Sequence, residues 1–266
     1  MQNESFEAYY QNLYGGRWKV LRESLVQEHP AFAFMEGVTE PYFMDYASVL
    51  AARSLRLPEP RAFNDEGEPP VILDACAAPG GKSLVIAAGL PAPLWLLANE
   101  RSPDRRRRLS RALDRHLTGE QRARVQVSGF DAAAAGSRKS EHGRFQAILL
   151  DAPCSSEAHV LRDKAALAAW TPARPRFLAR RQWALLSSAF LLLKAGGSLV
   201  YATCALTPEE NDGVARRLFA KYGDAVEPDL PVFSEGEATE FGRIILPDRF
   251  CMGPMYVACF KKTKKQ

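Results

Sequence analysis

Residues 71–82 read Val-Ile-Leu-Asp-Ala-Cys-Ala-Ala-Pro-Gly-Gly-Lys, and this stretch decides the fold. The apolar run at 71–73 predicts a short strand buried on both faces of a parallel sheet. Asp74 ends the run, the Pro-Gly-Gly at 79–81 predicts a tight turn, and the apolar residues at 84–86 predict a helix just after it. Such a turn brings backbone N–H groups close to a ligand, so we expect a ligand at the carboxyl end of this strand.

The turn differs from the two familiar phosphate-binding loops. A Walker-type loop, Gly-x-x-x-x-Gly-Lys-Ser/Thr, would place glycine where this chain has Cys76. The dinucleotide fingerprint Gly-x-Gly-x-x-Gly is absent as well. The turn suits a ligand without phosphate that presses against backbone, such as S-adenosylmethionine. This stretch alone leaves open a plain strand-to-helix turn of any α/β protein.

The composition is that of an ordinary soluble globular protein, with 47% hydrophobic and 25% charged residues in a chain of 266. The net charge of +4 permits a nucleic-acid partner without requiring one. The five cysteines include no Cys-x-x-Cys pair, so neither a zinc site nor a disulfide framework is indicated, and we expect no metal. We see no secretory signal and no apolar run near the ~18 residues of a membrane span, so we expect a cytoplasmic protein without membrane contact.

The chain divides into an N-terminal extension, residues 1–57, and a larger unit, residues 71–266, joined by a proline-rich and acidic linker, residues 58–70. We predict helices over 1–30 and 32–57, packed on the larger unit. The aromatic residues of the first segment have a spacing that favours packing over base stacking; they are Phe6, Tyr9, Tyr10, Tyr14 and Trp18.

The larger unit alternates between strand and helix patterns. The further predicted strands are residues 94–100, 125–127, 145–150, 198–203, 242–246 and 255–260. The predicted helices are residues 103–117 and 177–194. A further helix is predicted to begin after Pro208, with Glu209 and Glu210 in its first turn. We expect residues 132–143 to form a loop of low order. This alternation predicts an α/β fold whose mostly parallel, twisted sheet has helices on both faces.

Polar residues end five of these segments: Asp74, Glu100, Asp131, Asp151 and Cys204. Ligands bind at the carboxyl ends of the strands in open α/β sheets, so we expect these side chains to converge. Glu100 can accept hydrogen bonds from ribose hydroxyls, and Asp131 suits the exocyclic amine of adenine. A lone aspartate at a strand end is more commonly a helix cap or a surface residue, which is the alternative for each.

Two motifs place a cysteine at the end of a predicted central strand: Asp-Ala-Pro-Cys-Ser-Ser at 151–156 and Tyr-Ala-Thr-Cys at 201–204. A thiolate is a strong nucleophile, and a polar or cationic site can lower the pKa of a thiol. The alternative for each is a buried, inert cysteine. We interpret Cys76 as packing within the turn, and Cys251 and Cys259 as core residues.

With residues 76–82, Cys-Ala-Ala-Pro-Gly-Gly-Lys, these motifs resemble the Fmu/Sun family of RNA (cytosine-5) methyltransferases in order and spacing. The resemblance runs from about residue 36 to the closing strand. Residues 43–48 and those after Cys154 look most like the mitochondrial ribosomal-RNA branch. Ser156 stands where the family often has glycine, and Ala205 where serine is usual.

The resemblance implies a Rossmann-like class I methyltransferase with S-adenosyl-L-methionine as cofactor. Cys204 would add to carbon 6 of cytosine, Asp151 would hold the base at its N3/amine edge, and Cys154 would assist removal of the carbon-5 proton and release of the enzyme. The implied cofactor contacts are Cys76, Ala77, Ala78, Pro79, Gly80, Gly81, Lys82, Glu100, Arg105, Asp131 and Asp151. Because the base must be unstacked, single-stranded or looped RNA is expected.

We expect ribosomal RNA as the substrate. The alternatives are transfer RNA, a catalytically silent RNA-binding or ribosome-assembly factor, and, less favoured, a small-molecule methyltransferase. We identify no separate RNA-binding domain, so a partner protein that targets the RNA is a hypothesis, and we expect a monomer. The arginines predicted to contact phosphates follow the first cysteine motif; they are Arg174, Arg176, Arg180 and Arg181. The arginine-rich segment 101–115 fits a solvated helix face instead.

Overall fold

The structure, a computed structural model, describes residues 4–59 and 70–263. Most of the predicted linker lies outside these residues. The N-terminal elements are α1 (Phe6–Tyr14), α2 (Trp18–Val26), β1 (Phe32–Phe34), β2 (Tyr42–Met44) and α3 (Tyr46–Arg53). The helix predicted over 32–57 is wrong in its first half, where β1 and β2 form an antiparallel hairpin. The reason is an alternation of partly buried, exposed and buried side chains at residues 32–34, which is a strand pattern.

The remaining elements follow the predicted alternation. The strands are β3 (Val71–Asp74), β4 (Trp95–Asn99), β5 (Val125–Ser128), β6 (Phe145–Asp151), β7 (Leu193–Thr203), β8 (Val226–Asp229), β9 (Glu237–Ala238), β10 (Gly242–Ile245) and β11 (Met255–Lys262). The helices are α4 (Gly81–Ala88), α5 (Pro103–His116), α6 (Gly119–Ala123), α7 (Ala132–Ala135), α8 (Glu157–Arg162), α9 (Lys164–Ala168), α10 (Ala173–Leu192), α11 (Asp212–Tyr222) and α12 (Pro247–Phe250).

One mixed sheet contains β3 to β11 in the order β5-β4-β3-β6-β7-β11-β10-β9, with β8 also pairing with β11. The five strands from β5 to β7 in this order are parallel, and β11 adds antiparallel to β7. The chain moves outward from β3 to β5 and then returns to β6 on the other side of β3. The carboxyl ends of β3 and β6 therefore flank the switch point, where α/β sheets bind their ligands.

Helices cover both faces of the sheet, as predicted. On one face α3, α4 and α5 contribute buried residues such as Val49, Leu84 and Leu109, and on the other α10 and α11 contribute Phe190 and Leu218. A third cluster joins α1 and α2 to α8. Its buried aromatic residues are Phe6, Tyr9, Tyr10, Trp18 and Trp170, so the prediction that the N-terminal aromatics pack rather than stack on bases is confirmed for the first four.

Several predicted boundaries move. The helix predicted from residue 177 begins at Ala173, the strand predicted from 198 begins at Leu193, and the predicted loop 132–143 starts with the short helix α7. The glycines at 196 and 197 lie within β7. A Cβ atom on Gly197 would lie 2.7 Å from the carbonyl oxygen of Gln146, so glycine permits the close approach of β7 to β6.

Candidate active site

Asp151, at the end of β6, forms an ion pair with Lys82 of α4, with 2.8 Å between Nζ and Oδ2. The Lys82 ammonium also donates to the Ser48 hydroxyl at 3.3 Å, which connects α3 to the site. Burial opposes the charge of this lysine, but the Asp151 carboxylate outweighs burial, so the pKa of Lys82 is raised. A fixed positive charge therefore lies beside the carboxylate at the switch point of the sheet.

The two motif cysteines lie on the loops that follow the neighbouring strands β6 and β7. The Sγ atoms of Cys154 and Cys204 are 2.8 Å apart, and both thiols are free and partly accessible. The hydrogen bond from the Cys154 thiol lowers the pKa of Cys204, and the same contact together with burial raises the pKa of Cys154. Of the two thiols, Cys204 therefore loses its proton more easily, with Cys154 as the donor beside it.

Beneath the two cysteine loops lies a buried polar cluster formed by Glu157, Glu210, Ser155, Tyr10 and Gln182. Glu210 accepts hydrogen bonds from the Ser155 amide at 2.9 Å and the Gln182 side chain at 2.8 Å, while Glu157 accepts from the Tyr10 hydroxyl at 2.5 Å. The Ser155 hydroxyl contacts both carboxyl groups. Since it carries one proton, it can donate to only one of them, and the other must be protonated to donate in return.

Sequence reasoning missed this cluster. We predicted Glu210 in the first turn of a helix, but α11 begins at Asp212 and the Glu210 side chain is fully buried. Burial, followed by repulsion from Glu157, raises the pKa of Glu210 to about 7. The available signal was a glutamate shortly after each cysteine motif, Glu157 after the first and Glu210 after the second. A buried carboxyl pair under both loops fixes the backbone that carries the thiols.

Ala205 follows Cys204 and is fully buried. Its carbonyl oxygen accepts from the Asn211 amide at 2.9 Å, and its amide donates to the Thr203 hydroxyl at 3.2 Å. The turn after Cys204 is therefore held by side chains on both sides.

Two cavities meet at Cys76 and contain most of the predicted cofactor residues. The smaller, about 230 Å³, is lined by Asp74, Asp151, the hairpin residues 42–44 and most of the turn after β3. The larger, about 500 Å³, lies beyond β4 and β5 and is lined by the predicted residues Glu100, Arg105 and Asp131, and also by Arg181. Gly80 is the exception among the predicted cofactor residues. It lines neither cavity, and its backbone at φ +127° faces α5.

The residues of the larger cavity hold one another in place. Glu100 is 5% exposed, accepts from the Ser102 amide at 2.8 Å and pairs with Arg105 at 3.2 Å. Arg105 in turn donates to the carbonyl oxygen of Ala78 at 2.8 Å, which ties the turn after β3 to α5. Asp131 caps α7 and pairs with Arg101, so the capping alternative holds for Asp131 although it also lines the cavity.

S-adenosylmethionine fits these cavities on two structural grounds. Asp74 is fully buried and lines the smaller cavity, and its Oδ1 atom has no hydrogen-bond partner among the described residues, which suits an ammonium group. The buried Glu100 carboxylate in the larger cavity retains acceptor capacity for hydroxyl groups.

The other cysteines lie apart from the thiol pair. Cys259 is buried in the core, as predicted, and Cys76 packs at the cavities with a raised pKa caused first by burial. The interpretation of Cys251 as a core residue is wrong. It ends α12 in a left-handed conformation, with φ 52°, and is exposed.

Within residues 4–59 and 70–263, no helix combines the length and hydropathy that a membrane span needs. The same residues contain no group of three or more His, Cys, Asp or Glu side chains that could hold a metal ion.

A family model described as 16S rRNA methyltransferase RsmB/F matches residues 63–261. The chain belongs to this family. The match confirms the resemblance to RNA methyltransferases of the Fmu/Sun type, while the mitochondrial branch stays a prediction.

Curated relatives named ribosomal RNA small subunit methyltransferase F are 37% identical over 216 residues in Escherichia coli and 40% identical over 218 residues in Cronobacter sakazakii. Each alignment covers 79% of this chain and 44% of the relative, so the chain spans less than half the length of these relatives.

Two solved structures from Pyrococcus horikoshii share the fold. NSun6 with SFG is 24% identical with a TM-score of 0.66, covering 86% of this chain and 54% of that one. A methyltransferase homolog protein is 21% identical with a TM-score of 0.69, covering 95% and 93%. These likenesses establish the Rossmann-like fold predicted from the strand and helix alternation.

Proposed function

We propose that this chain transfers a methyl group from S-adenosylmethionine to carbon 5 of a cytosine in RNA, with ribosomal RNA as the substrate, through a covalent cysteine adduct. The observation that supports it most directly is the pair of thiols with 2.8 Å between sulfurs, on the loop ends of two neighbouring parallel strands beside the Lys82–Asp151 ion pair. A silent RNA-binding factor needs neither thiol, and the family membership favours an RNA substrate.

The chemistry follows from the protonation of the pair. The Cys204 thiolate adds to carbon 6 of cytosine, which makes carbon 5 nucleophilic. Asp151, held by Lys82, engages the N3/amine edge of the base, and the Lys82 ammonium beside it offsets the negative charge of the adduct. When bound, S-adenosylmethionine supplies an electrophilic methyl group. Cys154, adjacent to Cys204, assists removal of the carbon-5 proton so that Cys204 leaves as a thiolate.

We propose that residues 71–266 form the methyltransferase unit and that residues 1–57 are an extension that supports its loops. Tyr10 donates to Glu157 on the first cysteine loop, and Tyr14 donates to the carbonyl oxygen of Leu206 on the second, at 2.7 Å. The extension thus contacts both loops that carry the thiols.

The RNA surface that we propose is the N-terminal half of α10. Arg174 donates to the carbonyl oxygen of Ser155 at 3.4 Å, Arg181 lines the larger cavity, and Arg176 and Arg180 are exposed. Phe177 is 57% exposed and lies at helical spacing from these arginines, so it offers a face for base stacking. Cations with an exposed aromatic residue, on a helix that contacts the first cysteine loop, suit an unstacked, single-stranded segment.

Four arginines give a limited electrostatic contribution to RNA affinity. We therefore propose that the chain acts as a monomer whose targeting to RNA is supplied by a partner protein. Tight and specific binding of ribosomal RNA by the isolated chain in a filter-binding assay would contradict the need for a partner.

A trapping experiment tests the proposed function. The Cys154→Ala variant, incubated with S-adenosylmethionine and ribosomal RNA, is expected to give a protein–RNA band that survives a denaturing gel, because the adduct forms but is released slowly. The Cys154→Ala/Cys204→Ala double variant is expected to give no band. Cys251→Ala, which changes an exposed cysteine outside the pair, is the matched control and is expected to release its product like the parent.

The trapped RNA is then sequenced after bisulfite treatment to locate the modified cytosine. A band that persists without Cys204 would contradict its role as nucleophile. Absence of any band, with cofactor binding demonstrated by calorimetry and with RNA and partner extracts supplied, would contradict the methyltransferase proposal.

A further inference from the structure

Ser156 begins the helix that follows the first cysteine motif and has an unusual backbone conformation. It stands immediately before α8 with φ 53° and ψ 60°, in the left-handed region. Residues with a Cβ atom rarely adopt this conformation, and serine gains no intrinsic advantage there. A serine held in this conformation calls for a reason in its surroundings.

The hydroxyl of Ser156 lies against both sulfur atoms of the thiol pair. Its Oγ is 3.2 Å from the Sγ of Cys204 and 3.5 Å from the Sγ of Cys154. A weaker contact of 3.4 Å joins it to the carbonyl oxygen of Cys154. The left-handed turn therefore points the hydroxyl into the site rather than towards an α8 amide, with which it makes no capping bond.

Counting protons assigns a direction to these contacts. Cys154 and Ser156 each carry one proton, and a thiolate at Cys204 carries none, so both neighbours can donate to the same sulfur at 2.8 and 3.2 Å. Hydrogen bonds to a charged acceptor are stronger than those to a neutral one. A neutral Cys204 would accept these two hydrogen bonds more weakly, because its sulfur carries no charge.

The charges that face Cys204 from the surrounding elements do not all favour a thiolate. Asp151 on β6 and Glu157 on α8 oppose its negative charge, and Lys82 on α4 favours it. The pKa of Cys204 is nonetheless lowered, first by the hydrogen bond from Cys154, with the Ser156 hydroxyl acting in the same direction. Both donors are uncharged, and the serine hydroxyl, unlike a thiol, keeps its proton throughout the pH range in which thiols titrate.

We propose that Ser156 is a positioning residue whose hydroxyl donates a hydrogen bond to the Cys204 thiolate and, together with the Cys154 thiol, keeps that sulfur anionic for attack. The inference rests on the proposed role of Cys204 as nucleophile. It explains why a serine occupies a backbone position that glycine would adopt more easily.

The test measures the rate at which iodoacetamide alkylates Cys204 as a function of pH, quantified on the Cys204 peptide by mass spectrometry. Removing the hydroxyl in Ser156→Ala or Ser156→Gly is expected to move the midpoint upward by about one pH unit, which is about a tenfold loss of thiolate below the midpoint. Ser24→Ala, which removes a distant hydroxyl that donates to a backbone carbonyl, is the matched control and is expected to leave the midpoint unchanged.

The two substitutions at position 156 separate the hydroxyl from the backbone. Glycine relieves the left-handed strain and alanine retains it, so equal shifts in both variants support a hydrogen bond. An unchanged midpoint in both, or a shift in the alanine variant alone, would overturn the proposal. Circular dichroism melting checks that the proteins are folded, and the glycine variant keeps the test decisive if alanine is not tolerated.

Alkylation requires neither RNA nor cofactor. A protein whose midpoint shifts as expected but which methylates no RNA in the trapping experiment would contradict the proposed function and not the hydrogen bond. A protein that methylates RNA through Cys204 with an unshifted midpoint would contradict the role of Ser156 alone.

Discussion

Replacing Glu210 by glutamine is expected to change how the stability of this protein depends on pH. The Glu210 carboxyl group is fully buried and faces Glu157 across the Ser155 hydroxyl. Glutamine is close in shape to the protonated acid. Its carbonyl oxygen can still accept from the Ser155 amide and from Gln182, and its amide can donate to the Ser155 hydroxyl. The substitution therefore removes the titration while retaining most of the contacts.

The raised pKa of Glu210 determines whether stability rises or falls with pH. Below the unfolded value of 4.5 the group is protonated in both states, and its contribution to stability is fully present. As pH rises through the folded value of about 7, the unfolded state has already lost its proton, so the contribution of Glu210 to stability is lost. At about 1.4 kcal/mol for each unit of pKa difference, the free energy of unfolding falls by about 3 kcal/mol over this range because of this group.

The assay is urea unfolding of parent and Glu210→Gln at pH 5 and pH 8.5, followed by far-UV circular dichroism. The difference in unfolding free energy between variant and parent is expected to move in favour of the variant by about 3 kcal/mol between the two pH values. Burial also raises the pKa of Asp74 to about 7. Because Asp74 is present in both proteins, its contribution cancels in the difference between their free energies of unfolding. Glu209→Gln removes one carboxyl group at the exposed neighbouring position and is the matched control. If the difference in unfolding free energy between Glu210→Gln and the parent does not change with pH, the raised pKa of the buried Glu210 is refuted.

Three further outcomes are expected. At pH 8, Asp74→Asn should weaken the binding of S-adenosylmethionine about tenfold, measured by calorimetry. The reason is that the buried Oδ1 atom, which has no partner among the described residues, loses its negative charge. An unchanged affinity would mean that Asp74 does not contact the cofactor. Arg174→Gln and Arg180→Gln should each weaken RNA binding in a filter-binding assay and reduce the slope of log K against log salt concentration by about one. Arg216→Gln, on a helix outside the proposed RNA surface, is the control. Equal effects at all three positions would argue against a localised RNA surface. Gly80→Ala should lower the free energy of unfolding by about 2 kcal/mol, measured by guanidinium unfolding. The residue has φ +127°, and the added Cβ atom would lie 3.1 Å from α5. An unchanged unfolding midpoint would mean that the turn accommodates the methyl group without strain.

The parts of the fold that could be predicted are those governed by local pattern. Continuous apolar runs identified β3, β4 and β6. The helix predicted from Pro103 begins at that residue, because proline fits the first turn of a helix. Alternation of such elements implied a parallel sheet. The hairpin of β1 and β2 was missed because three-residue strands give too short a pattern to distinguish from a helix by periodicity.

The candidate site could be predicted only in part, for a different reason. The ends of parallel strands meet at one edge, so the sequence alone predicts that Asp151, Cys154 and Cys204 lie near one another. The contact between Tyr10 and Glu157 joins residues 147 positions apart, and it depends on how α1 packs against α8. Nor could the left-handed backbone of Ser156 be read from the sequence, since residues with a Cβ atom rarely adopt that conformation.

The contacts made by α1 and the residues after it have a consequence for the order in which the molecule folds. Tyr14 bonds to the backbone of Leu206, and Arg17 pairs with Glu237 and Asp248, more than 190 positions later. Contacts so distant in sequence close large loops and form slowly compared with those inside β3, β4 and β5, which are local. During synthesis the first helices leave the ribosome long before their partners exist. The part of the sheet formed by β3, β4 and β5 can therefore assemble early. The loops that carry the thiols become fixed only when the two distant parts of the chain finally meet.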